Sequence, residues 1–356
     1  MALPGVALLV IGVLIDFSIF LMVTLSLNLE VGFTNIPQFG RVIAVAAGAF
    51  TVGAIPGRLL ALAMGLPAGA DYASDLTNNV VVGQINNLLG ANIPLSIAYF
   101  VLSLVLAGVV GGLVGWLTSR PAIRLREAYL GISLLAFGDM LVTIGVNWQP
   151  LVGGTLPVGV PDPFRWIWDA RSLAFCVVAL ALALVTLVLT QRLTKSPFGR
   201  TLKMLRDNEV VSMAFGKDIV KVRTRSLVIG SIIAAVAGGL EVMYVGSDNA
   251  ASFTRLTWTF FPWAYMMLGG VGNNRGMVFG VLIFIIADNI ILHLSSIITF
   301  LPFDPTRLVN LLVGFVIVLI VLFRPRGLIP EKTETTIPQN RIEEILKKIS
   351  EPDKTA

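Results

Sequence analysis

The chain has 356 residues, of which 56% are hydrophobic and 13% charged, with a formal net charge of +5. A soluble domain carries about a quarter charged residues, so too little polar surface is present to cover a water-exposed fold of this length. A single cysteine (Cys176) and a single histidine (His293) exclude an intrachain disulfide and leave both a zinc site and a Ser-His-Asp triad short of parts.

A spanning helix needs roughly 20 apolar residues to cross a hydrocarbon core of about 30 Å. By that measure the chain reads as an all-α, polytopic membrane helix bundle of about 8–9 spans with broken or re-entrant glycine-rich segments. The first span is Pro4–Leu27. Met1 to Thr24 holds no Lys or Arg, so it lacks the basic region of a removable signal peptide and reads as a retained segment. Gly32 to Gly40, with Thr34, Asn35, Pro37 and Gln38, breaks the helix before the second span, Val42–Met64, which Gly53, Pro56 and Gly57 interrupt. Irregular backbone at membrane depth survives only inside protein or along a wet cavity. That makes Asn35 and Gln38 candidates for a solute path; an ordinary interfacial turn fits the same residues.

The Gly65–Ile93 loop carries Asp71 and Asp75 but no Lys or Arg, which places it outside. Further spans are expected at Pro94–Thr118 and Ala128–Trp148, separated by Arg120, Arg124 and Arg126 on the inner side. Leu173–Leu193 follows, with Cys176 as a small core residue. Between Gln191 and Arg225 stand nine basic residues (Arg192, Lys195, Arg200, Lys203, Arg206, Lys217, Lys221, Arg223, Arg225) against Asp207, Glu209 and Asp218. Such a loop belongs in the cytoplasm, and the gathering of basic residues between apolar runs argues for topology rather than nucleic-acid binding. Within it, Leu202, Leu205, Val211 and Phe215 give one or two short amphipathic helices, and Gly216 supplies a C-terminal stop. This pattern suits docking in a groove of a soluble partner; a solvated basic loop that only fixes topology is the alternative.

Leu227–Val245, a short Trp258–Val271 stretch that reads as tilted or broken, Met277–Ile298 and Leu308–Phe323 complete the spans. Gly272, Gly276 and Gly280 recur every four residues, the close-packing pattern of membrane helices. Arg324 and Arg326 put the tail inside, so about nine crossings starting outside satisfy every charged loop. The domains expected are a transmembrane unit over 1–326, with its cytoplasmic loop at 194–225, and a polar cytoplasmic tail over 327–356. That tail is too polar for a core of its own, with one surface helix expected from Arg341 to Ile349. Asp16, Asp139, Glu241 and Asp288 interrupt apolar runs at about 2.5–3.5 kcal/mol each at a helix centre, which makes them functional candidates. His293 reads as an interfacial or packed residue.

Ser196-Pro-Phe-Gly-Arg-Thr-Leu-Lys-Met-Leu-Arg-Asp-Asn-Glu209 with Met213-Ala-Phe-Gly216 resembles the cytoplasmic coupling loop of branched-chain amino acid ABC importer permeases, best of the M-type. Asn28–Asn35 to Gly40, Arg124–Leu130 with Phe137-Gly-Asp139, Leu268–Gly276 with Gly280, and Phe323–Leu328 resemble four further motifs of that type, in order along nearly the whole chain. Three positions depart: Arg41 where members commonly have histidine, Glu127-Ala128 in place of Gly-Asp, and Gly153–Gly159, which keeps only Gly-Gly-Thr. They bear on the solute more than on the family.

The resemblance implies a non-enzymatic permease subunit of a cell-membrane importer. Its partners would be a second, H-type permease, an extracytoplasmic solute-binding protein and two ATPase subunits, with membrane lipid around it. Arg200, Leu205, Arg206, Asp207, Glu209, Ala214, Phe215 and Gly216 would form the ATPase-coupling loop. Asn35, Gln38 and Thr155 would lie toward the solute path. No G-x-x-x-x-G-K-[ST] loop occurs in the sequence, so the chain is expected to bind no cofactor itself, with ATP and Mg on the ATPase subunits. A branched-chain or other small hydrophobic amino acid is the expected solute, with urea or short amides as rivals. An ion-coupled secondary transporter using the intramembrane acids is the first alternative, and an intramembrane enzyme ranks below it.

Overall fold

In the computed structural model the described residues are 5–65, 72, 75–125, 127–167, 170–297, 314–315, 318–319, 322–324, 326–331 and 341. They form a helix bundle: α1 (Gly5–Glu30), α2 (Arg41–Ala63), α3 (Asp75–Ala91), α4 (Ile93–Arg124), α5 (Glu127–Asn147), the single turn α6 (Gln149–Val152), α7 (Arg171–Lys195), α8 (Pro197–Asp207), α9 (Glu209–Ala214), α10 (Ile219–Val245), α11 (Phe261–Gly269) and α12 (Asn274–Ile297). Six of them, α1, α2, α4, α5, α7 and α10, are long and apolar enough to cross a membrane. A five-residue π-helical turn, Leu256–Phe260, leads into α11. That stretch and α12 form a pair bent by 117° at a short break.

The bent pair explains the short seventh segment. Leu256–Gly269 runs from the end of the bundle where a β-ladder lies to the end where the basic loop lies. At about 1.5 Å per residue it is about 21 Å long, well short of the hydrocarbon core. Gly270, at φ 113°, and Gly272, at φ 81°, turn the chain into α12. Gly276 and Gly280 then let α12 lie directly against the backbone of α11 at Gly269 and Tyr265.

α10 is the hub, packed on α4, α2 and α1. Small residues bring these helices close. A Cβ on Gly48 would collide with the Ala235 carbonyl, and one on Gly238 with the Val45 carbonyl, the contact by which membrane helices associate without a hydrophobic driving force. The largest apolar cluster fills the space between α1, α2, α7, α10, α11 and α12.

Three expectations need correction. The Gly65–Ile93 segment is not simply a loop: it contains α3, whose Val81, Val82, Ile85 and Leu89 are buried while Asn79 and Gln84 face out. α2 is not interrupted at Gly53–Gly57, since the helix continues through Pro56; the cost is one missing backbone donor, which leaves the Val52 carbonyl without its helical partner. The bundle also carries a two-residue antiparallel ladder between β1 (Val158–Gly159) and β2 (Ser247–Asp248), which joins the chain after α6 to the end of α10. The expected ninth span and the tail helix from Arg341 fall for the most part outside the described residues.

Candidate functional site

The basic loop folds as two helices with different exposures. Ser196 caps α8, its hydroxyl accepting from the Gly199 N–H at 3.4 Å, and Pro197 occupies the first turn. Leu202 is buried against Leu29 and Phe33 at the end of α1, and Leu205 is buried too. Arg206 turns back to donate to the Gly32 carbonyl at 2.9 Å and to Glu331 at 2.7 Å. Burial opposes the Arg206 charge, but the hydrogen bond and charge of Glu331, then those of Asp207, raise its pKa further. Asn208 ends α8 and caps α9, accepting from the Val211 N–H at 3.1 Å, and Glu209 pairs with Arg223 of α10.

α9 presents the opposite character. Val210 and Phe215 are each 70% exposed, and Val211 and Met213 are exposed beside them. Gly216, at φ 71°, stops the helix. Asp218 then caps α10, and the Lys221 backbone N–H it accepts from holds its carboxyl below the ordinary value. Of the coupling-loop candidates, Arg200, Asp207, Ala214, Phe215 and Gly216 are exposed, Glu209 is partly so, and Leu205 and Arg206 face the bundle. The last two therefore hold the loop in place and are not part of its outer surface.

The turn between α1 and α2 receives α8. Glu30 and Arg41 form an ion pair with both side chains fully buried. Gln38 donates to Glu30 at 2.9 Å, Arg41 donates to the Ser26 hydroxyl at 3.1 Å, and the Trp263 indole N–H donates to the Gln38 carbonyl at 2.9 Å. Asn28 donates to Asn274 of α12 at 2.8 Å and accepts from the Gly272 N–H at 2.9 Å. One hydrogen-bonded node thus joins α1, α2, α11 and α12 beneath α8. The three path candidates are not brought together. Gln38 is spent inside this node, Asn35 is exposed in a left-handed turn at φ 57°, and Thr155 is exposed in the turn before β1 at the other end.

The intramembrane acids also divide. Asp139 of α5 pairs with Arg255 at 2.9 Å. Asp16 of α1 lies within electrostatic reach of both Glu241 of α10 and Asp288 of α12. His293 lies in α12, and Cys176 is buried in α7.

Sequence reasoning missed the most isolated acid. Asp248 of β2 is fully buried, and neither carboxylate oxygen has a hydrogen-bond partner among the described residues. Its side chain abuts Gly53 of α2, where a Cβ would lie 2.8 Å from the Asp248 Cβ. One helical turn on, the Tyr72 hydroxyl occupies the space beside Gly57 and donates to the Gly159 carbonyl at 3.1 Å. Burial pushes the Asp248 carboxyl up to about 8. Beside β2 a cavity of about 450 Å³ is lined by Val242, Val245, Phe253 and Trp258 together with the polar Glu241, Ser247, Asn249, Ser252 and Thr257.

The model for the permease component of branched-chain amino acid transport systems matches residues 9–321. The chain is 37% identical, over 92% of its length and 95% of the relative's, to a probable branched-chain amino acid transport permease protein LivM of Methanocaldococcus jannaschii. It is 26% identical to the high-affinity LivM of Salmonella typhimurium, over 63% of this chain and 56% of that protein. It is 27% identical to the high-affinity permease LivH of Escherichia coli, over 64% of this chain and 74% of that protein. No solved structure matches. A bundle of six long apolar helices with a bent pair, matched over this span, is a multi-pass membrane protein, and the chain belongs to the branched-chain amino acid transport permease family.

Proposed function

We propose that the chain is the M-type permease subunit of an ATP-driven importer for branched-chain or similar small hydrophobic amino acids. An extracytoplasmic binding protein delivers the solute, a second permease of H-type completes the path, and two ATPase subunits, which carry the ATP and Mg, bind at the basic end. That end is the cytoplasmic one on the positive-inside rule, and the described tail residues share it, because Glu331 pairs with Arg206.

The observation that carries the reading is the division of labour between α8 and α9. α9 holds out Val210, Met213 and Phe215, an apolar face fit for a groove on a soluble partner. α8 is wedged by Leu202 and Arg206 against the turn that joins α1 to α2. A partner that moves α9 therefore moves α8, and through the Glu30–Gln38–Arg41 node moves α2 and α11. No chemistry is asked of this chain.

The test is a pull-down of the intact membrane complex. Phe215→Ala, which removes an exposed side chain and leaves the bundle intact, is expected to release a co-purifying ATPase subunit, with Glu209→Lys doing the same by loosening α9 from Arg223. Transport in vesicles without ATP and without a co-purifying ATPase would sink the reading. Asp16, within electrostatic reach of both Glu241 and Asp288, favours a second reading, an ion-coupled carrier. For it the decisive result is uptake driven by an ion gradient alone and abolished by Glu241→Gln.

A further inference from the structure

The buried charges at the basic end have counter-charges. Asp248 has none among the described residues, and a buried carboxyl with neither cation nor donor against it costs free energy that a native fold retains only with a reason. Its setting names the reason. The carboxylate lies on the glycine face of α2 at Gly53. Both carboxylate oxygens are acceptors without a donor among the described residues, and a primary ammonium supplies donors for both. A hard divalent cation asks for six or more oxygens, and no group of three or more acidic, histidine or cysteine side chains that could hold one gathers among the described residues.

We infer that Asp248 is the binding residue for the ammonium group of the transported solute, with the cavity beside β2, whose Val242, Val245, Phe253 and Trp258 form its apolar part, receiving the solute's side chain. This deepens the importer reading above and rests on it. Ser247 and Asn249, on either side of Asp248 in the chain, line the cavity. β2 is held by a ladder two residues long, Val158 to Asp248 and Gly159 to Ser247, far below the size at which strands are stable by themselves. Gly246, left-handed at φ 75°, precedes it. Parting β1 from β2 opens Asp248 toward that cavity, where Val242, Phe253 and Trp258 suit a branched apolar tail and Glu241 adds a second carboxylate for a cationic head. The closed ladder is then the occluded form of the path at the end remote from the ATPases.

The experiment has two arms. In the first, the full chain in lipid nanodiscs is titrated with leucine, with leucinamide (ammonium kept, carboxylate removed), with 4-methylpentanoate (carboxylate kept, ammonium removed) and with potassium chloride, and its thermal midpoint is followed. Leucine and leucinamide are expected to stabilise it and 4-methylpentanoate is not. Asp248→Asn is expected to weaken leucine by roughly ten- to a hundredfold, the range that loss of a charge-assisted hydrogen bond gives. In the second arm, leucine uptake by the assembled importer in vesicles is expected to show the same rise in KM. Gly53→Ala, which fills the space and leaves the acid, is expected to raise KM likewise if the Asn variant fails to accumulate.

Unchanged leucine binding and KM in Asp248→Asn, beside normal uptake by the unaltered assembly, overturn the inference and leave the importer reading standing. Equal stabilisation by potassium chloride and leucinamide, both lost in Asp248→Asn, overturns it in favour of a metal-cation site. No branched-chain amino acid uptake by the unaltered assembly overturns the importer reading and the inference together.

Discussion

The two ends of the bundle treat buried charge in opposite ways. At the basic end Glu30 meets Arg41, Glu209 meets Arg223, and Glu331 bridges Arg206 and Lys203. At the ladder end Asp162 finds Arg171 at 2.5 Å, but Asp248, buried more deeply, finds no partner among the described residues. A region whose charges are matched is stiff, because each partner holds the other where burial makes separation costly. A region with an unmatched acid is incomplete until something cationic arrives. The first suits transmission of a movement and the second suits reception of a solute. One helix, α2, begins in the former at Arg41 and passes the latter at Gly53.

The strongest way to break this comparison is to unmatch the matched end. Arg41→Met leaves Glu30 buried without its counter-charge and is expected to cost about 3–5 kcal/mol, read as a large drop in thermal midpoint in detergent. Adding Glu30→Gln is expected to restore most of it, since a neutral buried pair needs no counter-ion. A single Arg41→Met variant as stable as the unaltered chain would show that the node is solvated and does not lock the turn.

The next effect belongs to the ladder end and is one of pH. The Asp248 carboxyl is raised by burial from 3.8 to about 8, so the folded state binds its proton more tightly than the unfolded state. Stability from this group is complete below about pH 4 and is lost as pH rises toward 8, at no more than about 1.4 kcal/mol per pH unit. Thermal midpoints measured from pH 5 to 8 are expected to fall in the unaltered chain, and Asp248→Asn is expected to flatten that fall. A slope identical in both chains would assign the titration elsewhere.

What the sequence made legible follows from what a membrane demands. The spans that became α1, α2, α4, α5, α7 and α10 were readable because each must carry enough apolar length to cross. The break at Gly270–Gly272 was readable because its segment was too short. The charge runs of the basic loop were readable as one face of the bundle, but which residues turn inward was not. Arg206 looks like any solvated arginine on a basic helix until Gly32 and Glu331, distant in sequence, are placed beside it. Glu30 and Arg41 read as the charged borders of two apolar runs, and only folding brings them together inside. α3 was hidden by its low apolar content, although Val81, Val82, Ile85 and Leu89 do follow a helical period. The β-ladder leaves no trace in two residues, so Asp248, sitting in Gly-Ser-Asp-Asn, reads as an ordinary loop acid.

The smallest effect sharpens the comparison by loosening the basic end without exposing a buried charge. Just before Glu331 the chain is stitched to the end of α11, at the α11–α12 break, by the Leu328 N–H to the Leu268 carbonyl at 2.8 Å and the Ile329 N–H to the Gly269 carbonyl at 3.1 Å. The Glu331 carboxylate therefore straps α8 to that break through Arg206 and Lys203. The pairs are about a quarter exposed, so solvent screening limits Glu331→Gln to about 0.5–1 kcal/mol in global stability. The local consequence is larger than the global one, because α8 is held from this side by the strap and from the other by Leu202. Amide hydrogen exchange across residues 197–207 is expected to quicken in Glu331→Gln while that of α10 stays unchanged. Equal exchange in both chains would mean that Leu202 and the Gly32 carbonyl alone fix α8, and the tail would lose its place in the coupling path.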